Sequence, residues 1–331
     1  MLGNRISGRS GVRCGVLLAV AMLGGCSVLF PEIPTVEPDV GVVSAEPPPV
    51  VEPEPAPEPE PKPKPEPQKL PPVAVVLSSS QPVFRDVADA LAEYFNDLQI
   101  FDLSDSSQPP VSVLRVINDS DSSAVIAIGL RAARSSVAMS DTPVIFSQVF
   151  NYQDHDLLNE NSRAVAPLAP LDAQLAAWTQ IDPTISRIGI IIGEGHDALI
   201  EEAQLAAQKH KIELHIQMAA SDQETVYLFR RMVQDIDGFW LFPDNRVLSS
   251  RSLQEILKTA KRHQVAVAVP NESMLKMGAT VSLATEAEDI AATISGIIRK
   301  IQIDGLKEVP TVTPLSAIRV VTGESESVVK R

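Results

Sequence analysis

The chain has 331 residues, 44% of them hydrophobic, and a formal net charge of −14. That length supports one large or two medium cores, and so acidic a chain lacks the basic face of a nucleic-acid binder, so no nucleic-acid partner is read from it. The two cysteines, Cys14 and Cys26, fall within the first 26 residues, which excludes a disulfide framework or thiolate metal site in all that follows.

In chain order, Arg5, Arg9 and Arg13 precede the apolar run "GVLLAVAMLGG". A positive segment, a short apolar segment and small residues form the layout of a secretory signal peptide over residues 1–25. Leu23-Gly24-Gly25-Cys26 resembles the bacterial lipobox. That resemblance implies cleavage before Cys26, loss of Cys14 with the leader, and lipidation of Cys26. Several acyl chains hold a protein at a membrane far better than one. Ser27 stands where an aspartate would resemble an inner-membrane retention signal. The implied location is therefore the periplasmic side of the cell envelope, with the outer membrane favoured over the inner.

Residues 26–72 read as a linker. Its core, "EPEPAPEPEPKPKPEPQK", alternates proline with charge, which forbids helix and sheet and favours polyproline II. It resembles the Glu-Pro/Lys-Pro tract of TonB-like periplasmic proteins. At about 3.1 Å per residue such a disordered tract reaches roughly 130 Å when extended. No apolar run of about 18 residues follows residue 30, so no later segment reads as membrane-spanning.

From residue 73 short β-rich runs alternate with amphipathic helical patterns. Strands are expected at "VAVVL" (73–77), "QIFDL" (99–103), "AVIAIG" (124–129), "PVIFSQV" (143–149) and "RIGIIIG" (187–193), then at 212–218, 238–242, 265–269, 279–284 and 317–321. Near-continuous apolar runs suit parallel strands covered on both faces. Helices are expected between them. One begins at Pro82, one follows Ser221 or Asp222 as cap, one follows Ser249 or Ser250, and a last long one spans "EAEDIAATISGIIRKIQ". "VSVLRVIND" (111–119) is compatible with helix or strand. Alternation of this kind makes an α/β protein with right-handed crossovers. Ten strands are many for one sheet, and the rhythm restarts near residues 160–186. The expectation is two doubly wound parallel-sheet lobes around a central cleft. Lobe 1 is 73–165, completed by about 279–322, lobe 2 is 166–278, and 323–331 is a flexible tail.

The succession "AVIAIG", "DTPVIFSQV", "SRIGIIIGEG", "DGFWLFPDNRVLS" and "VAVAVPNESMLKMGATVSLA" resembles the ABC-transporter substrate-binding proteins of the uncharacterised, tryptophan/tyrosine-type periplasmic family. "TPVIF" and "LFPDN" carry most of the likeness, which spans most of 73–322. It implies a type I periplasmic-binding fold, a small ligand in the cleft with an amino-acid-like molecule as one candidate, no catalysis, and an ABC permease as partner. The competing expectation is an outer-membrane lipoprotein whose domain contacts or regulates a periplasmic envelope protein.

Ligands of open α/β sheets bind beyond the carboxyl ends of the strands, which selects the candidates. Ser78, Ser79 and Ser80 follow the first strand, either holding an anion at a helix start or capping a turn. Gly129 ends the third strand, and Arg131 either pairs with an anion or stays solvated. Gln148, Phe150 and Asn151 place amides beside an aromatic ring. In the second half, Gly193 and Gly195 permit close backbone approach and Glu194 could bind an amine. Asp244 and Asn245 follow Pro243, and Asn271 and Glu272 follow another strand. Asp and Asn also favour turns for local reasons. The five histidines show no metal-ligand spacing, and His210 and His215 read as structural or surface residues. With no GxSxG, P-loop or GxGxxG segment, neither enzyme activity, a metal nor a cofactor is expected.

Overall fold

The computed structural model describes residues 70–323. The leader, Cys26, the proline-rich tract through residue 69 and the tail from residue 324 lie outside the described residues. Leu70 is already buried and bridges to Phe95, so packed structure begins slightly before the expected end of the linker.

The chain runs β1 (Val73–Leu77), α1 (Pro82–Leu91), β2 (Leu98–Asp102), α2 (Pro110–Asn118), β3 (Val125–Ile128), α3 (Leu130–Met139), β4 (Val144–Ser147) and β5 (Ser162–Val165). It continues with α4 (Leu171–Ile181), β6 (Arg187–Ile192), α5 (Asp197–His210), β7 (Glu213–Met218), α6 (Asp222–Met232), β8 (Gly238–Trp240), α7 (Ser250–His263), β9 (Ala266–Val269) and β10 (Val281–Ala284). It ends with α8 (Ala287–Asp304), β11 (Val312–Thr313) and β12 (Arg319–Thr322).

These strands form two six-stranded sheets, ordered β11-β5-β4-β3-β1-β2 and β12-β10-β9-β8-β6-β7. Every pairing is parallel except β10 with β12. Parallel sheets need cover on both faces, and both have it. In the first lobe α1 and α8 pack on one face, with Leu91, Ile294 and Ile298 against Val75 and Ile126. On the other, α2 and α3 pack Leu114 and Ala133 against Val76 and Phe146. In the second lobe α4 and α5 cover one face, centred on Trp178 and Trp240. There α6 and α7 cover the other, centred on Phe229, Phe239 and Ile256. Each buried large apolar side chain contributes about 1.5–3 kcal/mol.

Three findings go beyond the sequence expectations: the first and third correct them and the second settles an open alternative. First, the segment near 279–322 does not simply complete lobe 1. α8 and β11 do, but β10 and β12 hydrogen-bond into the second sheet, so the chain crosses between lobes three times. Second, "VSVLRVIND" is mostly the helix α2, opened by Pro109-Pro110 with Pro at its first turn. Third, β5 is a strand inside what reads as a polar connection. Ser162 and Arg163 are buried there because the Arg163 guanidinium donates to four carbonyls, those of Asn159, Ser162, Leu306 and Val309. Two of these lie just beyond α8, so a polar strand is held in place by the turn that ends a helix. The caps of α6 and α7 resolve to Ser221 and Ser249, the latter in a capping box with Ser252.

Candidate functional site in the cleft

In both sheets the strand order reverses beside the first strand, between β1 and β3 and between β6 and β8. Loops at such a switch point gather where ligands bind. In the second lobe β6 leads into Gly193, and the chain leaves β8 through Leu241, Phe242 and Pro243 to place Asp244 beneath it. Asp244 is 1% exposed. Its Oδ2 accepts from the Gly193 N–H at 2.9 Å and from Arg246 Nη2 at 3.0 Å. Its Oδ1 accepts from the Arg246 N–H and Nε and from Asn151 Nδ2. Burial alone would raise the Asp244 pKa, but the hydrogen bonds from Arg246, Gly193 and Asn151 outweigh it and hold the carboxyl at about 2. Gly193 is required by this approach: a Cβ there would lie 2.8 Å from Asp244 Oδ2 and 3.0 Å from Arg246 Nη2.

Asn151 comes from the other lobe, beyond the end of β4. It is buried, donates to Asp244 Oδ1 at 3.0 Å and to Asn245 Oδ1 at 2.9 Å, and its Oδ1 lies 3.0 Å from His196 Nε2. Asp154, also from the first lobe, pairs with Arg246 Nη1 at 3.1 Å. Asn151 and Asp154 on one side and His196, Asp244, Asn245 and Arg246 on the other thus form a continuous polar bridge between the lobes.

His196 completes it. Arg246 Nη2 stands 2.6 Å from Nε2, so Nε2 accepts and the ring proton sits on Nδ1. Burial and then the Arg246 charge push the His196 pKa below its ordinary value, against the pull of Asp244 and Asp154. Phe150 packs on the imidazole with ring centroids 4.8 Å apart and stacks toward Phe242 at 6.4 Å.

Beside the bridge lies a cavity of about 210 Å³. Leu130, Val149, Phe150, Pro167 and Pro243 make its apolar walls, and Gln148, Asn151, His155 and Asn245 supply its polar groups. Gln148 has φ 59°, and so do three other non-glycine residues within about ten degrees. Those three, Asp156, Lys211 and Gln264, each end a helix. Gln148 ends none, and left-handed backbone at such a position gathers at ligand sites. Its Nε2 donates to Thr285 Oγ1 at 3.4 Å.

The fold brings Gln148, Phe150, Asn151, Gly193, Asp244 and Asn245 into this one region. It places the others elsewhere. Ser78 Oγ accepts from the Ala132 N–H at 2.9 Å and so caps α3 from a distant loop. Gly129 stands against it with φ 85°, where a Cβ would meet Ser78 Oγ at 2.7 Å. Ser79 is half-buried, and Ser80, Arg131 and Glu194 are exposed and outside the cavity lining. Asn271 Oδ1 accepts from the Ser273 N–H and caps the short turn Glu272–Met277. Four polar residues went unmarked in the sequence: Asp154, His155, His196 and Arg246. Arg246 sits two residues after Asp244 and His196 follows the Gly193–Gly195 loop, so proximity to a marked loop was the available signal. Among the described residues no group of His, Cys, Asp or Glu could hold a metal ion, and no helix is long and apolar enough to cross a membrane.

The sequence matches the family described as ABC transporter substrate binding protein over residues 84–317. Among curated proteins none matches. Solved structures of similar fold include three that each align over 76% of this chain and 91% of their own. One is a conserved domain protein from Vibrio cholerae O1 biovar El Tor, at 18% identity and TM-score 0.51. Another is an ABC domain in complex with L-Trp from Streptococcus pneumoniae, at 16% and 0.52. The third is the ligand-free, open structure of a substrate binding protein with adhesive properties from Clostridium difficile, at 13% and 0.57. At these identities the likeness speaks to the fold.

Proposed function

The chain belongs to the ABC transporter substrate binding protein family, with the type I periplasmic-binding fold that its sequence resemblance implied, and from that premise we propose that it is a lipid-anchored solute-binding protein taking a small polar ligand between its lobes. The observation that carries this reading is the polar bridge of Asn151 and Asp154 to Asp244 and Arg246 beside a cavity at the strand ends. Closing the lobes forms the bridge and completes the cavity walls, since Phe150 and Asn151 come from one lobe and Pro243 and Asn245 from the other. Ligand affinity and lobe closure are then one linked equilibrium, and a partner reads the closed form. In import that partner is an ABC permease. The family is one of substrate binding, and no catalytic step enters this account.

Support for the anchor comes from the sequence: Leu23-Gly24-Gly25-Cys26 after a leader, then a proline-rich tether. Cys26→Ser should abolish incorporation of an alkynyl fatty acid and release the protein from membranes. Incorporation unchanged in that variant contradicts the anchor. The cavity is tested by isothermal titration of Asn151→Ala against wild type with whichever small molecule co-purifies. The account expects at least a tenfold loss of affinity; equal affinity contradicts it.

A second reading concerns the partner. The bridge is made by the chain's own side chains, and Ser27 with the long tether suits the outer membrane. Both features favour a closed lobe pair displayed to a periplasmic envelope protein. Fractionation separates the two readings: recovery in the outer membrane supports the envelope partner, and recovery in the inner membrane supports the permease.

A further inference from the structure

We propose that the ligand of the cleft is an uncharged single-ring compound that both donates and accepts hydrogen bonds, and not a zwitterionic amino acid. The inference rests on the cleft reading above and refines it. An α-ammonium group buried in a cavity requires an anionic partner. Asp244 stands between the lining residues Pro243 and Asn245, and five hydrogen bonds already saturate its two oxygens, about as many as a carboxylate can accept. It is also sealed from the cavity at 1% exposure. Asp154 lies outside the lining and is paired with Arg246. No carboxylate lines the cavity.

An α-carboxylate fares no better. Arg246 is committed to Asp244, Asp154 and His196. Arg131 and Arg134 face a separate open groove along α3, which shares only Leu130 with the cavity. His155 is the one ionisable side chain in the lining.

Apart from His155, what the lining offers is neutral. Asn151 spends both Nδ2 hydrogens on Asp244 and Asn245, while its Oδ1, facing the unprotonated His196 Nε2, stays an acceptor. Gln148 gives one Nε2 hydrogen to Thr285 and keeps the other as a donor and Oε1 as an acceptor. Asn245 spends its Oδ1 on Asn151 and keeps Nδ2 as a donor. Free acceptors on Gln148 and Asn151 and free donors on Gln148 and Asn245, set among Phe150 and two prolines, match a ring that carries both functions on its edge and an apolar face. The volume of about 210 Å³ lies below the roughly 300–1,000 Å³ of drug-sized sites, which suits one ring. A lactam-bearing nucleobase and a monosaccharide share this chemistry.

The test is isothermal titration of the purified full-length lipoprotein in detergent micelles. One arm uses uracil and thymine, a second uses D-ribose and D-glucose, and a third uses L-tryptophan, L-tyrosine and glycine. The expected result is saturable binding in the first or second arm and none in the third. Asn245→Asp, which keeps the oxygen facing Asn151 but removes the donor and adds charge, should weaken that binding at least tenfold. Its melting temperature, measured alongside, shows that it folds. Saturable binding of an amino acid to wild type overturns this inference and leaves the cleft reading standing. Silence in all three arms overturns both.

Discussion

In the first lobe the loops at the strand-order reversal close upon themselves. Ser78 accepts from the Ala132 N–H, Gly129 turns against it, and Arg131 points to solvent. In the second lobe the corresponding loops hold a buried carboxylate under Gly193 and send Arg246 and His196 to meet the partner lobe. The first lobe answers from one strand further along, through Gln148, Asn151 and Asp154 after β4. Two sheets of the same strand order are thus used unequally: the second contributes the buried carboxylate, the arginine and the histidine, and the first contributes most of the apolar wall, two amides and a single carboxylate, Asp154. Strand order fixes which loops can reach a cleft, and side chains decide which of them do.

The largest expected effect comes from the charged side. Arg246→Ala removes the main partner of a fully buried carboxylate. Breaking such a pair costs roughly 3–5 kcal/mol, and the low end is expected because Gly193 and Asn151 still donate to Asp244. Urea denaturation measures it, and a loss under about 1 kcal/mol would erase the asymmetry between the lobes.

Ser78→Ala tests the other lobe. Loss of a helix cap costs about 0.5–2 kcal/mol, and lobe separation should stay unchanged because Ser78 makes no bond across the cleft. A change in separation would mean that the first lobe's reversal loops belong to the site after all.

Acid should act through His196 before it acts through Asp244. The His196 pKa is lowered from 6.5 in the folded chain, so the unfolded or opened form takes up the proton first. Stability is then full above about pH 6.5 and falls as pH drops through and below that value. Protonation also turns Nε2 from an acceptor for Arg246 into a donor toward Asn151 Oδ1, so the arginine is repelled while the amide gains a bond. Asp244 works in a separate window: its contribution holds until pH falls from 3.8 toward about 2. His196→Gln should therefore flatten the melting temperature between about pH 7.5 and 5.5, and an unchanged slope would acquit His196.

The smallest stability effect is expected at Gln148→Gly. Relief of left-handed strain and the greater freedom of an unfolded glycine nearly cancel, leaving a change under about 1 kcal/mol. Ligand affinity should still drop, because the free acceptor is lost. Affinity unchanged would remove Gln148 from the site.

Most of the fold was legible because parallel strands announce themselves as apolar runs. "VAVVL", "AVIAI" and "RIGIII" could hardly be anything else. β5 was not legible, since "SRAV" is polar and its burial depends on carbonyls that Arg163 reaches more than 140 residues away. The return of β10 and β12 to the second sheet was equally hidden, because a strand's sequence records its burial and not its neighbour. At the site, Asn151, Asp244 and Asn245 stood out as polar residues at strand ends. Arg246 and His196 did not, since an arginine in a turn and a histidine at a helix start look solvated until a second lobe covers them. Asn271 caps the turn that follows it and Ser78 caps α3 from 54 residues away, and those bonds explain them without a ligand.

The central claim is that the bridge between Asn151–Asp154 and Asp244–Arg246 holds the lobes closed around the cavity. It is tested most directly by spin labels at Gln153→Cys and Glu201→Cys, one exposed site on each lobe, with the inter-label distance read by pulsed electron resonance in the full-length protein. The account predicts a single short distance in the labelled parent and a longer, broader distribution once Arg246→Ala is added. Identical distributions in the two proteins would contradict it.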